Sequence, residues 1–86
     1  MYYVYILQSI KKPSWLYKGS TKDLKKRINE HNQGKTFSTA PYSPFKLIYY
    51  EAYLLKEDVK AREKYLKTSM GKRVIKKQLA NYLNIK

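Results

Sequence analysis

The sequence contains no cysteine, a single histidine, three glycines and three prolines in 86 residues. Without cysteine there is no disulfide framework, no thiol nucleophile and no thiolate zinc site, and one histidine excludes any site built on paired imidazoles. A bound metal has to rely mainly on carboxylates, and these are scarce, with 6 Asp and Glu against 19 Lys and Arg. Long apolar runs are missing too. The longest, such as Tyr2 to Leu7 and Leu47 to Tyr50, fall far short of the roughly 20 residues that span a bilayer. The first residues have neither the basic leader nor the small-residue cleavage site of a secretory signal. The expectation is a soluble, cytoplasmic protein without a membrane partner. A chain of 86 residues buries on folding about two thirds of the surface it exposes unfolded. That suffices for one domain over residues 1–86 with one modest core, and leaves no room for a large substrate cavity.

What the sequence has in excess is positive charge, a formal net +13 with an isoelectric point near 9.9. Such a surface attracts polyanions through phosphate contacts and counterion release, which makes nucleic acid the expected partner. An anionic membrane surface calls instead for a basic amphipathic helix with apolar anchors, which only the C-terminal segment approaches.

Aromatic and β-branched residues dominate Tyr2 to Leu7, which reads as a buried strand, with Trp15 to Lys18 as its hairpin partner. Ser20-Thr21-Lys22-Asp23 has the spacing of a helix N-terminus, so a helix is expected from Lys22 to Gln33 with Gly34 as its left-handed stop. Lys35 to Pro44 lacks periodicity and reads as a loop, and Phe45 to Tyr53 as the third strand. Glu57-Asp58 opens a second helix that should end near Met70, with Gly71 as its stop. A third, basic helix follows from Lys72 to Leu83 with Ile75, Leu79 and Tyr82 inward. The order β-β-α-β-α-α argues for an α+β domain, a small three-stranded antiparallel sheet flanked by helices. On the last helix Lys72, Arg73, Lys76 and Lys77 face away from Ile75 and Leu79 and are candidate nucleic-acid-binding residues.

Some residues are not explained by folding alone. At about 100° per residue, Leu24, Ile28 and His31 share one sector of the first helix, with Arg27 at its edge. The same arithmetic puts Glu63 in a sector with Val59, Leu66 and Met70, where a carboxylate is unfavourable unless something pairs with it. That partner is either Arg27, in a structural ion pair, or a metal ion. His31 is either a dipole partner near a helix C-terminus or part of a site, and the ten tyrosines serve first as strand and core residues. Taken together, Tyr5 and Tyr17 on neighbouring strands and Arg27, His31 and Glu63 on covering helices supply the groups phosphodiester hydrolysis needs.

The motifs Tyr3-Val4-Tyr5 and Tyr17-Lys18-Gly19 are followed in order by Ser20-Thr21, Arg27, His31-Asn32 and Gly34-Lys35. Thr39, Pro44, the run Lys46 to Glu51 and Ala61-Arg62-Glu63-Lys64 complete a pattern that covers nearly the whole chain. In this order and spacing the sequence resembles the GIY-YIG nuclease superfamily, in its small stand-alone bacterial branch near the nuclease domain of the excision-repair incision subunit. Tyr3 stands at the Gly of the first motif and Lys18 at the Ile of the second.

The resemblance implies a metal-dependent endonuclease acting on nucleic acid, DNA in preference to RNA, in a setting such as DNA repair. It implies one divalent ion, magnesium or manganese, on Glu63. Tyr5 would act as general base or position the attacking water, Tyr17 would orient that network, and Arg27 would stabilise the scissile phosphate. His31 would support water or phosphate, and the choice of base between Tyr5 and His31 stays open. Larger relatives carry a separate DNA-recognition domain, so broad or structure-directed specificity is expected here, with a protein partner as a further source of selectivity. The alternatives are a noncatalytic nucleic-acid-binding module and a partner-dependent nuclease subunit.

Overall fold

The computed structural model describes residues 1–84. Strand β1 (Tyr2–Ser9) lies in the middle of a three-stranded sheet of order β2-β1-β3, antiparallel to both β2 (Leu16–Thr21) and β3 (Phe45–Tyr53). Val4, Tyr5, Ile6 and Leu7 are all buried, because helices and loops cover both faces of the central strand. A strand covered on both faces reads as a continuous apolar run rather than an alternation. Alternation still sorts its side chains. Val4 and Ile6 pack with Val59, Leu66 and Ile75 on one face, and Tyr5 and Leu7 pack with Phe45, Leu24 and Ile28 on the other.

Register fixes what stands beside what. Tyr5 is opposite Gly19 and Leu7 opposite Tyr17, so Tyr5, Tyr17 and the bare Gly19 share a face. Val4 is opposite Ser20 and Ile6 opposite Lys18, which sends Ser20 and Lys18 to the other face. The pairing of β1 with β3 shifts between Ile6 and Leu7, skipping Ile48. This bulge lets both Ile48 and Tyr49 pack on the Val4 side while Leu47 packs beside Leu7.

Helix α1 (Leu24–Asn32) begins later than its sequence pattern suggests. Ser20 and Thr21 complete β2, and the cap is Asp23, whose carboxylate accepts from the Lys26 amide at 3.1 Å. Its end is as expected, with Gly34 in the left-handed region at φ 73°. The loop that follows includes a 3₁₀ turn at Ala40–Tyr42.

The second helix stops early. Helix α2 (Lys56–Leu66) ends before Thr68, whose hydroxyl accepts from the Gly71 amide at 3.1 Å and starts helix α3 (Ser69–Gln78). Gly71 therefore terminates nothing and sits buried in the first turn of α3. A β-carbon there would lie 2.1 Å from the Tyr65 carbonyl oxygen, so glycine is needed for the close crossing of the two helices. Met70, expected beside Leu66 on one helix, belongs to α3 and is 59% exposed. The basic helix expected over Lys72 to Leu83 instead begins at Ser69 and is broken at Leu79, after which a one-turn helix α4 (Ala80–Leu83) follows. Tyr82 is exposed rather than inward and donates to Gln8 Oε1 at 2.6 Å.

An ion pair braces α2 against β3. Arg62 donates to both Glu51 oxygens at 2.9 and 3.0 Å, and the Tyr49 and Tyr53 hydroxyls donate to the same carboxylate at 2.5 and 2.6 Å. Burial alone would raise the Glu51 pKa, but Arg62 and the two phenols hold it below the ordinary value. Among the described residues, no helix is long and apolar enough to cross a membrane.

Candidate active site

The Tyr5 hydroxyl lies 2.9 Å from His31 Nε2, and His31 Nδ1 lies 2.8 Å from Thr39 Oγ1. Thr39 spends its own proton on the Thr36 carbonyl at 3.3 Å. With that proton engaged, Thr39 accepts from His31 Nδ1–H, the tautomer in which Nε2 accepts the Tyr5 proton. The chain of donors runs one way, from Tyr5 through His31 to Thr39. Tyr5, His31 and Thr39 are all buried, and Tyr5 is the member of the three that stands beside Arg27.

Two features fix the Tyr5 end. The Tyr17 ring stands 6.3 Å from the Tyr5 ring and 5.1 Å from the His31 ring, centroid to centroid, and stacks in turn on Trp15. Gly19 leaves space for the phenol. A β-carbon at that position would come within 2.6 Å of the Tyr5 oxygen and 3.0 Å of the Tyr17 ring.

Charge at the site is arranged around that phenol. Burial, opposed by the Arg27 guanidinium beside it and reinforced by Tyr17 and Glu63, leaves the Tyr5 pKa raised to about 12. His31 moves the other way: burial first, and then the positive charge of Arg27, lower its pKa below the ordinary 6.5, against an upward pull from Glu30. It is thus a neutral acceptor at pH 7. Arg27 pairs with Glu30 at 3.2 Å, not with Glu63, which removes the structural ion pair considered from sequence.

Glu63 stands on the other face of the sheet, where Ser20 donates to its Oε1 at 2.5 Å. Lys60 and Lys67 approach the same carboxylate at 3.6 and 3.0 Å. It does not face uncompensated apolar surface, as its helical sector implied. Burial would raise its pKa, yet Ser20 and the lysines hold it below the ordinary value. The structure therefore brings Tyr5, Tyr17, His31 and Arg27 together on one face. It sets Glu63 across the edge strand β2, near enough that its charge is felt at the Tyr5 phenol.

The donor set can be tested against a metal ion. Among the described residues no three acidic or histidine side chains converge. Glu63 fits a magnesium-like ion that keeps several waters and takes phosphate oxygens as further ligands, rather than one caged by protein alone. Its lysine partners are over half exposed.

The family model described as GIY-YIG catalytic domain matches residues 1–78. The chain belongs to the GIY-YIG family. It is 43% identical over 68 residues to a UPF0213 protein of Clostridium perfringens (strain 13 / Type A), covering 78% of this chain and 71% of that one. It is 41% identical over 66 residues to a UPF0213 protein of Streptococcus pyogenes serotype M3, covering 76% of this chain and 70% of that one. No solved structure matches it.

Within this GIY-YIG domain, two polar partners escaped the sequence reading. Thr39 matched the family pattern without a role, and its burial is set by a loop whose conformation no periodicity encodes. The spacing of Ser20 to Asp23 points to a helix cap at Ser20, yet the residue completes β2. Its strand position, one residue past Gly19, is the signal that sends its hydroxyl to the Glu63 face. Lys72, Arg73, Lys76 and Lys77 are all exposed on α3, distant in sequence from the Tyr5 cluster.

Proposed function

We propose that this chain is a divalent-metal-dependent endonuclease that hydrolyses phosphodiester bonds in DNA, with broad or structure-directed specificity. The observation that carries the reading is the hydrogen-bond chain from Tyr5 through His31 to Thr39, with Arg27 beside its Tyr5 end.

An attacking water donates to the Tyr5 oxygen as the Tyr5 proton passes to His31 Nε2. The water loses one proton, His31 gains one, and Tyr5 ends as it began. With the phenol held near 12 and His31 below its ordinary value, neither phenolate nor imidazolium forms beforehand at neutral pH. Transfer is therefore coupled to attack, which is what a general-base relay requires. Thr39 fixes the imidazole tautomer that makes Nε2 the acceptor. Arg27 offers charge-assisted hydrogen bonds to the phosphate oxygens as negative charge builds on them. Tyr17 holds the Tyr5 and His31 rings in place. Glu63 would hold magnesium or manganese, which when bound polarises the phosphate and stabilises the leaving oxygen.

The test is cleavage of plasmid, branched and single-stranded DNA, and of RNA, by the purified chain with Mg²⁺ or Mn²⁺, beside Arg27→Lys. Wild type should nick DNA in a metal-dependent way. Arg27→Lys should keep the fold and lose most activity, because a lysine ammonium cannot reproduce the two-pronged donor. A folded wild-type protein that binds DNA but cuts no substrate would make the chain a noncatalytic binding module.

A further inference from the structure

Strand β2 is an edge of the sheet, and hollows follow one another along it between sheet and helices. At its Thr21 end, Tyr2, Ser20 and Thr21 line a hollow with Lys22, Lys56 and Lys60. Next comes Glu63, bonded to Ser20 and lining a hollow with Lys60, Lys64 and Lys67. At the other end Trp15, Leu16 and Lys18 line a hollow with Lys72 and Lys76. Helix α2 runs opposite to β2, so the hollows succeed one another in the order of both elements. Among the described residues, Glu63 is the one acidic side chain lining any of the three.

The basic residues of α3 divide about this edge. At about 100° per residue, Lys72 and Lys76 flank the buried line of Gly71 and Ile75 on one side. Their hollow contains Lys18, which identifies that side as the β2 side. Arg73 and Lys77 fall on the opposite, outward face of the same helix.

We propose that a polynucleotide strand lies along β2, its scissile phosphate beside Glu63, with flanking phosphates held by Lys22, Lys56 and Lys60 on one side and by Lys18, Lys72 and Lys76 on the other. The proposal rests on the nuclease reading and adds to it the path of the strand. Lys18 and Ser20 are two strand residues apart, about 7 Å, comparable to one nucleotide of extended backbone. Burial, and after it the charges of Lys72, Lys76 and Lys67, lower the Lys18 pKa. Without an anion these ammonium groups repel one another, and a phosphate among them relieves the repulsion. The position where the family motif carries Ile is thus occupied here by a phosphate ligand.

The experiment measures affinity for fluorescein-labelled duplex and single-stranded DNA by anisotropy, in EDTA, from low to moderate salt. Three variants each remove three charges: K18Q/K72Q/K76Q, K22Q/K56Q/K60Q, and the off-track control K11Q/K12Q/K25Q, whose lysines are exposed and line none of the three hollows. Each track variant should reduce the salt slope by about 2 to 3, since one duplex phosphate contact carries about 0.9 of it. The control should change it by less than about 1. Thermal melts establish that each variant is folded, and K72Q/K76Q replaces the first triple if Gln at half-buried position 18 unfolds the chain. Equal losses in control and track variants overturn the track while leaving the nuclease reading intact. Failure of wild type to bind any nucleic acid overturns both.

Discussion

The hydroxyl of Tyr5, on the central strand, donates to Nε2 of His31, 26 residues later on α1, across 2.9 Å of fully buried space. Removing it separates catalysis from folding. Tyr5→Phe should lower cleavage by about 10²–10⁴-fold, the usual contribution of a positioned proton-transfer group. It should also cost about 1–3 kcal/mol of stability, because His31 Nε2 is left without a donor. Parallel measurement of cleavage rate and denaturant midpoint checks both parts.

The same pair sets a pH dependence. The folded-state pKa of His31 lies below its ordinary 6.5, so the unfolded chain binds more protons through that window. The contribution of His31 to stability is complete above about 6.5 and is lost as pH falls through the lower folded-state value. Cleavage should decline over the same acidic interval, as the Nε2 acceptor fills with a proton. Melting curves and cleavage rates from pH 5 to 8 for wild type and His31→Asn would show it, the variant losing the acid limb of the stability curve.

Gly19→Ala should act through geometry. Its methyl group would stand 2.6 Å from the Tyr5 oxygen and force the phenol to move. Displacement on the ångström scale costs on the order of 10²-fold in rate. DNA affinity, which depends on the lysines, should change by less than about threefold. Cleavage and anisotropy measured on one preparation distinguish the two effects.

Glu63→Gln should abolish metal-dependent cleavage and leave DNA binding intact or slightly tighter. Its stability cost should be small, about 0–1 kcal/mol, because Lys60 and Lys67 are 59% and 52% exposed and their pairs with Glu63 are screened by solvent. The sign matters. A carboxylate pressed against bare apolar surface would have made the Gln variant more stable, whereas one already held by two lysines and Ser20 makes it slightly less so. Melting in EDTA and cleavage in Mg²⁺ give the two readouts.

Sequence alone disclosed the sheet, and which side chains gather around Tyr5, better than it disclosed their hydrogen-bond partners. Phe45–Tyr53 appears with its expected bounds, since aromatic and β-branched residues mark a strand wherever its neighbours lie. The boundary between α2 and α3 was hidden because Thr68 and Gly71 compete as signals. Thr68 acts as an N-cap, and the absence of a side chain at Gly71 serves tertiary contact rather than termination. Helical periodicity correctly put His31 on the inward face of α1. It carried no information about which loop atom would meet Nδ1, so Thr39 became visible only in three dimensions. The partners of Glu63 divide in the same way. Lys60 and Lys67 follow helical spacing, while Ser20 depends on how β2 pairs with β1.

Placing Tyr5 on the central strand ties the proton relay to the most protected part of the chain. Its neighbours Val4, Ile6 and Leu7 are buried on both faces of the sheet, and its backbone is bonded on both sides. Such a segment exchanges its amide hydrogens only through large-scale opening. The Tyr5 end of the proposed relay therefore has no local hinge, since β1 is held on both sides. On the proposed nuclease reading a nucleic acid has to bring its backbone to this fixed strand, so cleavage is expected to follow the ease of deforming the substrate more than its base sequence.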